Sequence, residues 1–331
     1  MTPGNVDEHP RDDLRGPDSL RPEFTRYEKF HAYLELVRLP NVFTAVADVL
    51  MGFLFVRDEF GPRDGWGLGL LIAASSLLYM AGIVLNDVFD YAIDFRQRPE
   101  RPLPSGRIAR GTARRLGWTM LAGGVILAAA AALVVGQART AVVGVLLAAC
   151  VVLYDAWLKD TPLGPLAMGG CRMLNVLLGM SAAGFAWQAV HWLVAGAIGG
   201  YVAGVTWLAR SEAGRSHRLH LAGATAVMMA AVALLASLPR WNAHVVELLQ
   251  VDPTRWYLIL GVLGVLIGWR CLRAIADPVP ATVQMAVRQS IFSLVILDAV
   301  ACFAVRGTTA AVVVVLLLVP AMILGQWLES T

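Results

Sequence analysis

The sequence predicts an all-α protein folded as a polytopic bundle of transmembrane helices. Three observations carry this: 57% of the 331 residues are apolar, only 15% are charged, and the mean hydropathy is +0.63. A soluble domain has about a quarter of its residues charged. The apolar residues are also gathered into runs of about twenty, the length at which a helix rising 1.5 Å per residue crosses a hydrocarbon core of ~30 Å. Ten runs are read, at roughly 36–56, 66–86, 116–135, 140–157, 163–185, 190–209, 219–238, 256–275, 286–305 and 308–328. The first nine make a core domain over residues 34–305, and the tenth adds a C-terminal helix within 306–331.

Residues 1–33 are polar, rich in Pro, Arg and Asp, and contain no apolar stretch that could serve as a cleavable signal. They read as a flexible leader, which makes the first span the first anchor. Cys150, Cys171, Cys271 and Cys302 all fall within or at the ends of spans without paired spacing, and read as packing residues. Of the 27 Lys and Arg residues, twenty fall on the face that carries the N-terminus, six on the opposite face, and Arg172 lies within a span. The positive-inside rule then places both termini in the cytoplasm, as expected of a protein of a cytoplasmic (inner) membrane. Nothing in the pattern points to nucleic acid.

Acidic residues at a membrane boundary cost free energy and mark function. The second span ends in Asn86-Asp87-Val88-Phe89-Asp90-Tyr91-Ala92-Ile93-Asp94. On a continuous helix Asp87, Asp90 and Asp94, spaced i, i+3, i+7, share one face. Three carboxylates and the Asn86 amide in one stripe repel one another unless a cation sits among them, and hard oxygen ligands favour Mg²⁺ with phosphate oxygens completing its shell. The arginine-rich loop that follows carries Arg96, Arg98, Arg101 and Arg107 among prolines and Gly106. Guanidinium groups bind phosphate in pairs of hydrogen bonds, so stripe and loop together describe a metal-bridged diphosphate site.

A third cluster, Tyr154-Asp155-Ala156-Trp157-Leu158-Lys159, follows the fourth span, and Lys159 is one of only two lysines in the chain. Arg172 lies two turns into the fifth span with Asn175 beyond it, and a buried guanidinium requires an anionic partner, here expected to be Asp155, Asp160 or a ligand phosphate. Asp48 and Asp298 are further intramembrane acids whose partners the sequence does not reveal. After the sixth span come Arg210 and Glu212, the single carboxylate of the last cluster. His217 and His220 lack a third ligand, which argues against zinc. The candidate set is thus Asp87, Asp90, Asp94 and Lys159 for catalysis, and Asn86, Asp87, Asp90, Asp94 and Glu212 for the metal. Arg38, Asn41, Arg98, Arg101, Tyr154, Asp155, Arg172, Asn175 and Arg210 are the candidates for substrate binding.

These motifs resemble the UbiA superfamily of intramembrane prenyltransferases. Asn86 to Asp94 reproduces its N-D-x-x-D-x-x-x-D motif, Arg101 to Gly106 is similar to its arginine loop, and Tyr154 to Lys159 to its Y-x-x-x-L-K element. The resemblance spans roughly residues 34–305 and implies a helical bundle around a cavity, the isoprenoid in its apolar part and Mg²⁺ holding the diphosphate at the mouth. The tenth span goes beyond the usual nine. The family's second acidic motif is replaced here by Arg210-Ser211-Glu212, and this, with Arg172, is similar to the branch that transfers a phosphoribosyl group to a polyprenyl phosphate. Tyr154 to Lys159 with Gly169-Gly170-Cys171-Arg172 and Asn175 also resembles the EboC-type branch. Three functions follow as expectations: Mg²⁺-dependent transfer from an isoprenyl diphosphate to an unidentified small polar or aromatic acceptor, transfer of a polar group from a diphosphate donor to a polyprenyl phosphate, or lipid binding or transport without catalysis.

Overall fold

The computed structural model describes residues 24–57, 60–210, 217–241 and 250–329. The described residues are helical nearly throughout. In chain order the helices are α1 (Arg26–Leu36), α2 (Leu39–Val56), α3 (Asp64–Phe89), α4 (Tyr91–Gln97), α5 (Arg110–Val135), α6 (Ala138–Leu153, continued by a π-helical turn over Tyr154–Leu158), α7 (Gly164–Met180), α8 (Ala189–Ala209), α9 (Arg218–Ala236), α10 (Pro253–Ala276), α11 (Pro280–Leu316) and α12 (Leu318–Glu329). Among the described residues, eight helical stretches are long and apolar enough to cross a membrane. Each of the ten expected spans coincides with helix, although α7 has only 17 residues.

Two features differ from the sequence expectation. Helix begins at Arg26, inside the stretch read as leader, because Thr25 caps the helix through a reciprocal pair of hydrogen bonds with Glu28. One face of it is covered: His31, Ala32 and Leu36 are buried, while Tyr27, Phe30 and Tyr33 are exposed. The tenth span is not one straight helix either. Gly307 adopts φ 72 and ψ −166, a conformation open to glycine, and bends the chain between the ninth and tenth spans; Leu317 interrupts it again. α12 then packs on α2, and Trp327 meets His31 of α1 edge-on at 5.6 Å, so the two ends of the described chain lie at the same end of the bundle.

α7 is the axis of the bundle, in contact with α2 on one side and α8 on the other. Glycine allows both approaches. A β-carbon at Gly179 would fall on the carbonyl of Val49, and one at Gly52 on the carbonyl of Val176, so α2 and α7 touch backbone to backbone. Because lipid tails are as apolar as leucine, helices in a membrane associate through such close packing. Gly179→Val is therefore expected to lower the melting temperature of the purified protein by several degrees, whereas Gly65→Ala, where nothing lies within 4 Å, should leave it unchanged. The premature end of α7 is covered from α6: Arg139 donates to the carbonyls of Ser181 (3.1 Å), Phe185 (2.6 Å) and Ala183. These would otherwise be orphaned at the helix terminus.

α3 and α5 form the most extensive pair, and α3 positions the chemistry. Its 26 residues give it a length of about 39 Å, more than a hydrocarbon core requires, so its last turn, with Asn86 and Asp87, projects toward the membrane boundary.

Candidate active site

A cavity of about 370 Å³ opens where α2, α3 and the π-helical turn meet. Arg38, Asn41, Asn86, Tyr154 and Asp155 lie toward its mouth, and Leu78, Ile83, Val151, Val205 and Leu294 give its inner wall an apolar character. Tyr79, Arg172, Asn175 and Ser75 form a polar strip along one side. Ser75 precedes Asn86 by eleven residues on α3, so this strip reaches about 16 Å inward.

The acids at the mouth are arranged differently from a single stripe. α3 ends at Phe89, Asp90 takes φ −80 and ψ 0, and α4 begins afresh at Tyr91. The break separates the three carboxylates. Asp87 and Asp94, both buried, converge on one nitrogen of the Arg101 guanidinium, Nη1, at 3.6 and 2.7 Å, while Asp90 turns to Lys159. Arg38 adds a second base to Asp87 at 3.0 Å. Asn86 is engaged through its amide nitrogen with Asp155 at 3.1 Å. Among the described residues no three His, Cys, Asp or Glu side chains stand close enough to hold a metal ion by themselves. Two neighbouring carboxylates nevertheless suit Mg²⁺, which takes one or two such ligands and fills its octahedron with water and phosphate oxygens.

Local backbone features aim these groups. Arg38 has φ 45 and ψ 52, the only left-handed non-glycine among the described residues, and this turn between α1 and α2 directs its side chain to Asp87. Such strain gathers at functional sites. The π-helical turn, closed by the Lys159 N–H donating to the Tyr154 carbonyl at 2.9 Å, inserts an extra residue into the end of α6. It lets Asp155 reach Asn86 while Lys159 reaches Asp90, and π-bulges are frequent at functional positions. Its signal in the sequence is weak.

The arginine loop is held from beneath by two apolar plugs. Leu103 and Ile108 are buried against Ala32 and Leu36 of α1 and Val84 and Val88 of α3. Arg107, which composition alone assigns to solvent or phosphate, instead makes two hydrogen bonds to Glu35 at 2.7 and 3.2 Å and one to the Glu100 carbonyl at 2.7 Å. Glu35 is thus a supporting residue that span reading passed over. Arg98 is exposed, and Arg210 donates to the Lys159 carbonyl. Glu212 lies outside the described residues.

Arg172 corrects an expectation. Its partner is neither Asp155 nor Asp160 but Asp48 of α2 at 2.9 Å, with Thr44 accepting a second bond at 2.8 Å and the Tyr79 ring 4.8 Å from the guanidinium. Asn175 donates to Asp48 (3.0 Å) and to the Ala45 carbonyl (2.9 Å), and accepts from Ser75 at 2.7 Å. Asp298 of α11 is packed against the same pair. These polar side chains join α2, α3, α7 and α11 inside the bundle. Cys171 donates a hydrogen bond to Cys150, Sγ to Sγ 3.3 Å, and both are free thiols.

The model of the UbiA prenyltransferase family matches residues 45–287, nearly three quarters of the chain, and takes in the Asn86 to Asp94 motif, the arginine loop and the Tyr154 to Lys159 element. The chain belongs to the UbiA prenyltransferase family. It is therefore an integral membrane protein with the fold of that family. Relatives include the digeranylgeranylglyceryl phosphate synthase of Sulfolobus acidocaldarius, 42% identical over 97 residues (29% of this chain, 34% of the relative). That of Ignicoccus hospitalis is 35% identical over 157 residues (46% and 48%). The chain spans about a third to a half of the length of these curated relatives. A UbiA homologue from Archaeoglobus fulgidus, solved with geranyl diphosphate and Mg²⁺, superposes with a TM-score of 0.61 at 13% identity, covering 86% of this chain and 99% of that one. A structure from work on digeranylgeranylglyceryl phosphate synthase in membranes gives 0.61 at 21% identity, covering 85% and 100%. At these identities the likeness concerns the UbiA fold.

Proposed function

We propose that the chain is a Mg²⁺-dependent intramembrane prenyltransferase that draws an isoprenyl diphosphate into the cavity and transfers its isoprenyl group to a lipid acceptor. One observation carries this reading: three acids and three bases, Asp87, Asp90 and Asp94 with Arg38, Arg101 and Lys159, cluster beside Asn86 and Asp155, which with Arg38 line the mouth of a cavity whose inner wall is largely apolar. A molecule with a strongly anionic head and a hydrocarbon tail matches both parts.

Held by Asp87 and Asp94, Mg²⁺ would neutralise the departing diphosphate. Arg38, Arg101 and Lys159 are placed to hold phosphate oxygens as the carbon–oxygen bond breaks and its electron pair leaves with the diphosphate. Leu78, Ile83 and Val151 line the space where the allylic cation would form and keep water from it, so that the acceptor nucleophile captures it. The relatives' name points to a geranylgeranyl donor and a glyceryl phosphate lipid as the first pair to try. Purified protein given labelled geranylgeranyl diphosphate and such a lipid should release pyrophosphate only when Mg²⁺ is present. Folded protein that neither turns over nor binds the donor in Mg²⁺ would refute the proposal.

The reading as a transferase of a sugar-like group loses its main residue, since the Arg172 guanidinium is satisfied by Asp48 and Thr44. The excess of Lys and Arg on the side of the mouth supports a cytoplasmic orientation of the site and both termini. Assignment to an EboC-type branch rests on the sequence of Tyr154 to Lys159 together with Gly169 to Arg172 and Asn175, and is part of the same proposal. Arg107→Ala, which unties the loop from Glu35, is expected to raise KM for the diphosphate donor roughly three- to tenfold with a smaller change in kcat, as read from initial rates.

A further inference from the structure

We propose that Arg101 occupies the place of the divalent cation with its own charge, so that cation and diphosphate enter the site together rather than separately. The inference rests on the diphosphate reading above. It concerns the order in which the same site is filled, which follows from how its charges are already paired.

Asp87, Asp90 and Asp94 each already have a positive partner, while the neighbouring Asp155 is engaged by the Asn86 amide. The Arg101 guanidinium lies between Asp87 and Asp94, where a bridging cation would sit. Arg38 shares Asp87, and Lys159 holds Asp90. The three acids of the motif face three bases, so a divalent ion arriving alone finds their charge already matched and must compete with a guanidinium for the oxygens of both Asp87 and Asp94. A diphosphate arriving alone meets bases whose charge is already matched by carboxylates. When the two arrive together, Arg101 can exchange Asp87 and Asp94 for phosphate oxygens while the metal takes its place, and neither group is left unpaired. Leu103 and Ile108 anchor the loop just after Arg101, whereas the Arg101 side chain is 23% exposed and can turn without displacing the backbone. Linkage then requires that metal and diphosphate strengthen each other's binding by the same factor.

The test is the affinity of full-length protein in detergent for Mn²⁺, used in place of Mg²⁺ because bound and free Mn²⁺ are distinguishable by electron paramagnetic resonance, with no diphosphate present. Arg101→Gln is expected to bind Mn²⁺ at least tenfold more tightly than the unaltered protein, and to bind labelled inorganic pyrophosphate in Mg²⁺ more weakly. Arg101→Lys, which keeps the charge on a shorter side chain with a different reach, should fall between them. Arg240→Gln, beside Tyr257 away from the mouth, should match the unaltered protein and so exclude a general effect of net charge. Melting curves of both Arg101 variants establish that they are folded. Unchanged or weaker Mn²⁺ binding in folded Arg101→Gln and Arg101→Lys overturns the exchange while leaving the diphosphate site intact. Absence of saturable pyrophosphate binding in the unaltered protein overturns the diphosphate reading, and the exchange with it.

Discussion

Asp87→Asn and Asp94→Asn are each expected to reduce Mg²⁺-dependent turnover by about 10²–10³-fold, the range seen when a preorganised charge-stabilising group is removed. Each change keeps the shape of the side chain and removes half of the two-carboxylate set that Arg101 bridges. Asp90→Asn should have a smaller effect, because Asp90 stands apart with Lys159 and acts on the diphosphate through that residue. Stability should barely change in Asp87→Asn or Asp94→Asn, since the Arg101 guanidinium is partly exposed and retains a second partner. Single-turnover rates with labelled donor, combined with melting curves, check both parts. A loss of activity that tracked a loss of folded protein would contradict this account.

The largest effect on stability is expected from Asp48→Leu. That change strands the buried Arg172 guanidinium and removes a partner of Asn175. Breaking a buried ion pair on one side costs about 3–5 kcal/mol, whereas replacing both members with apolar residues of similar size is often neutral. Asp48→Leu should therefore lower the melting midpoint by roughly 5–15 °C, and adding Arg172→Met should recover much of the loss. Asp298 sharpens the test: packed against the same pair, it can serve as substitute counter-ion, so Asp298→Asn combined with Asp48→Leu should be worse than Asp48→Leu alone. A double-mutant cycle measures this coupling directly.

These two networks show what one chain of residues reveals before it is folded. The Asn86 to Asp94 motif and the spans were legible because period, length and residue chemistry are local properties. The division of that motif was not, because it depends on a break in the helix at Asp90, where no glycine or proline announces it. Arg172 announced its need for an anion, but Asp48 lies 124 residues away on another helix, and separation of that kind leaves no pattern in the sequence. α1 escaped the span reading because its polar and aromatic residues fit the surface of the bundle rather than a membrane core. The left-handed Arg38 and the π-helical turn at Tyr154 likewise arise from tertiary packing, and both turn a side chain toward the mouth. Glu35 became visible as a support only when Arg107 was seen to reach it across 72 residues.

The account stands most directly on binding of labelled geranylgeranyl diphosphate to the purified protein, measured at equilibrium with Mg²⁺ and with a chelator, in the unaltered protein and in Asp87→Asn/Asp94→Asn. Saturable binding that requires Mg²⁺, is displaced by inorganic pyrophosphate and is lost in the double variant is the predicted result. Binding of equal strength with the chelator present, or in the double variant, would show that the hydrocarbon tail alone is recognised and that the acids and bases at the mouth do not form a diphosphate site.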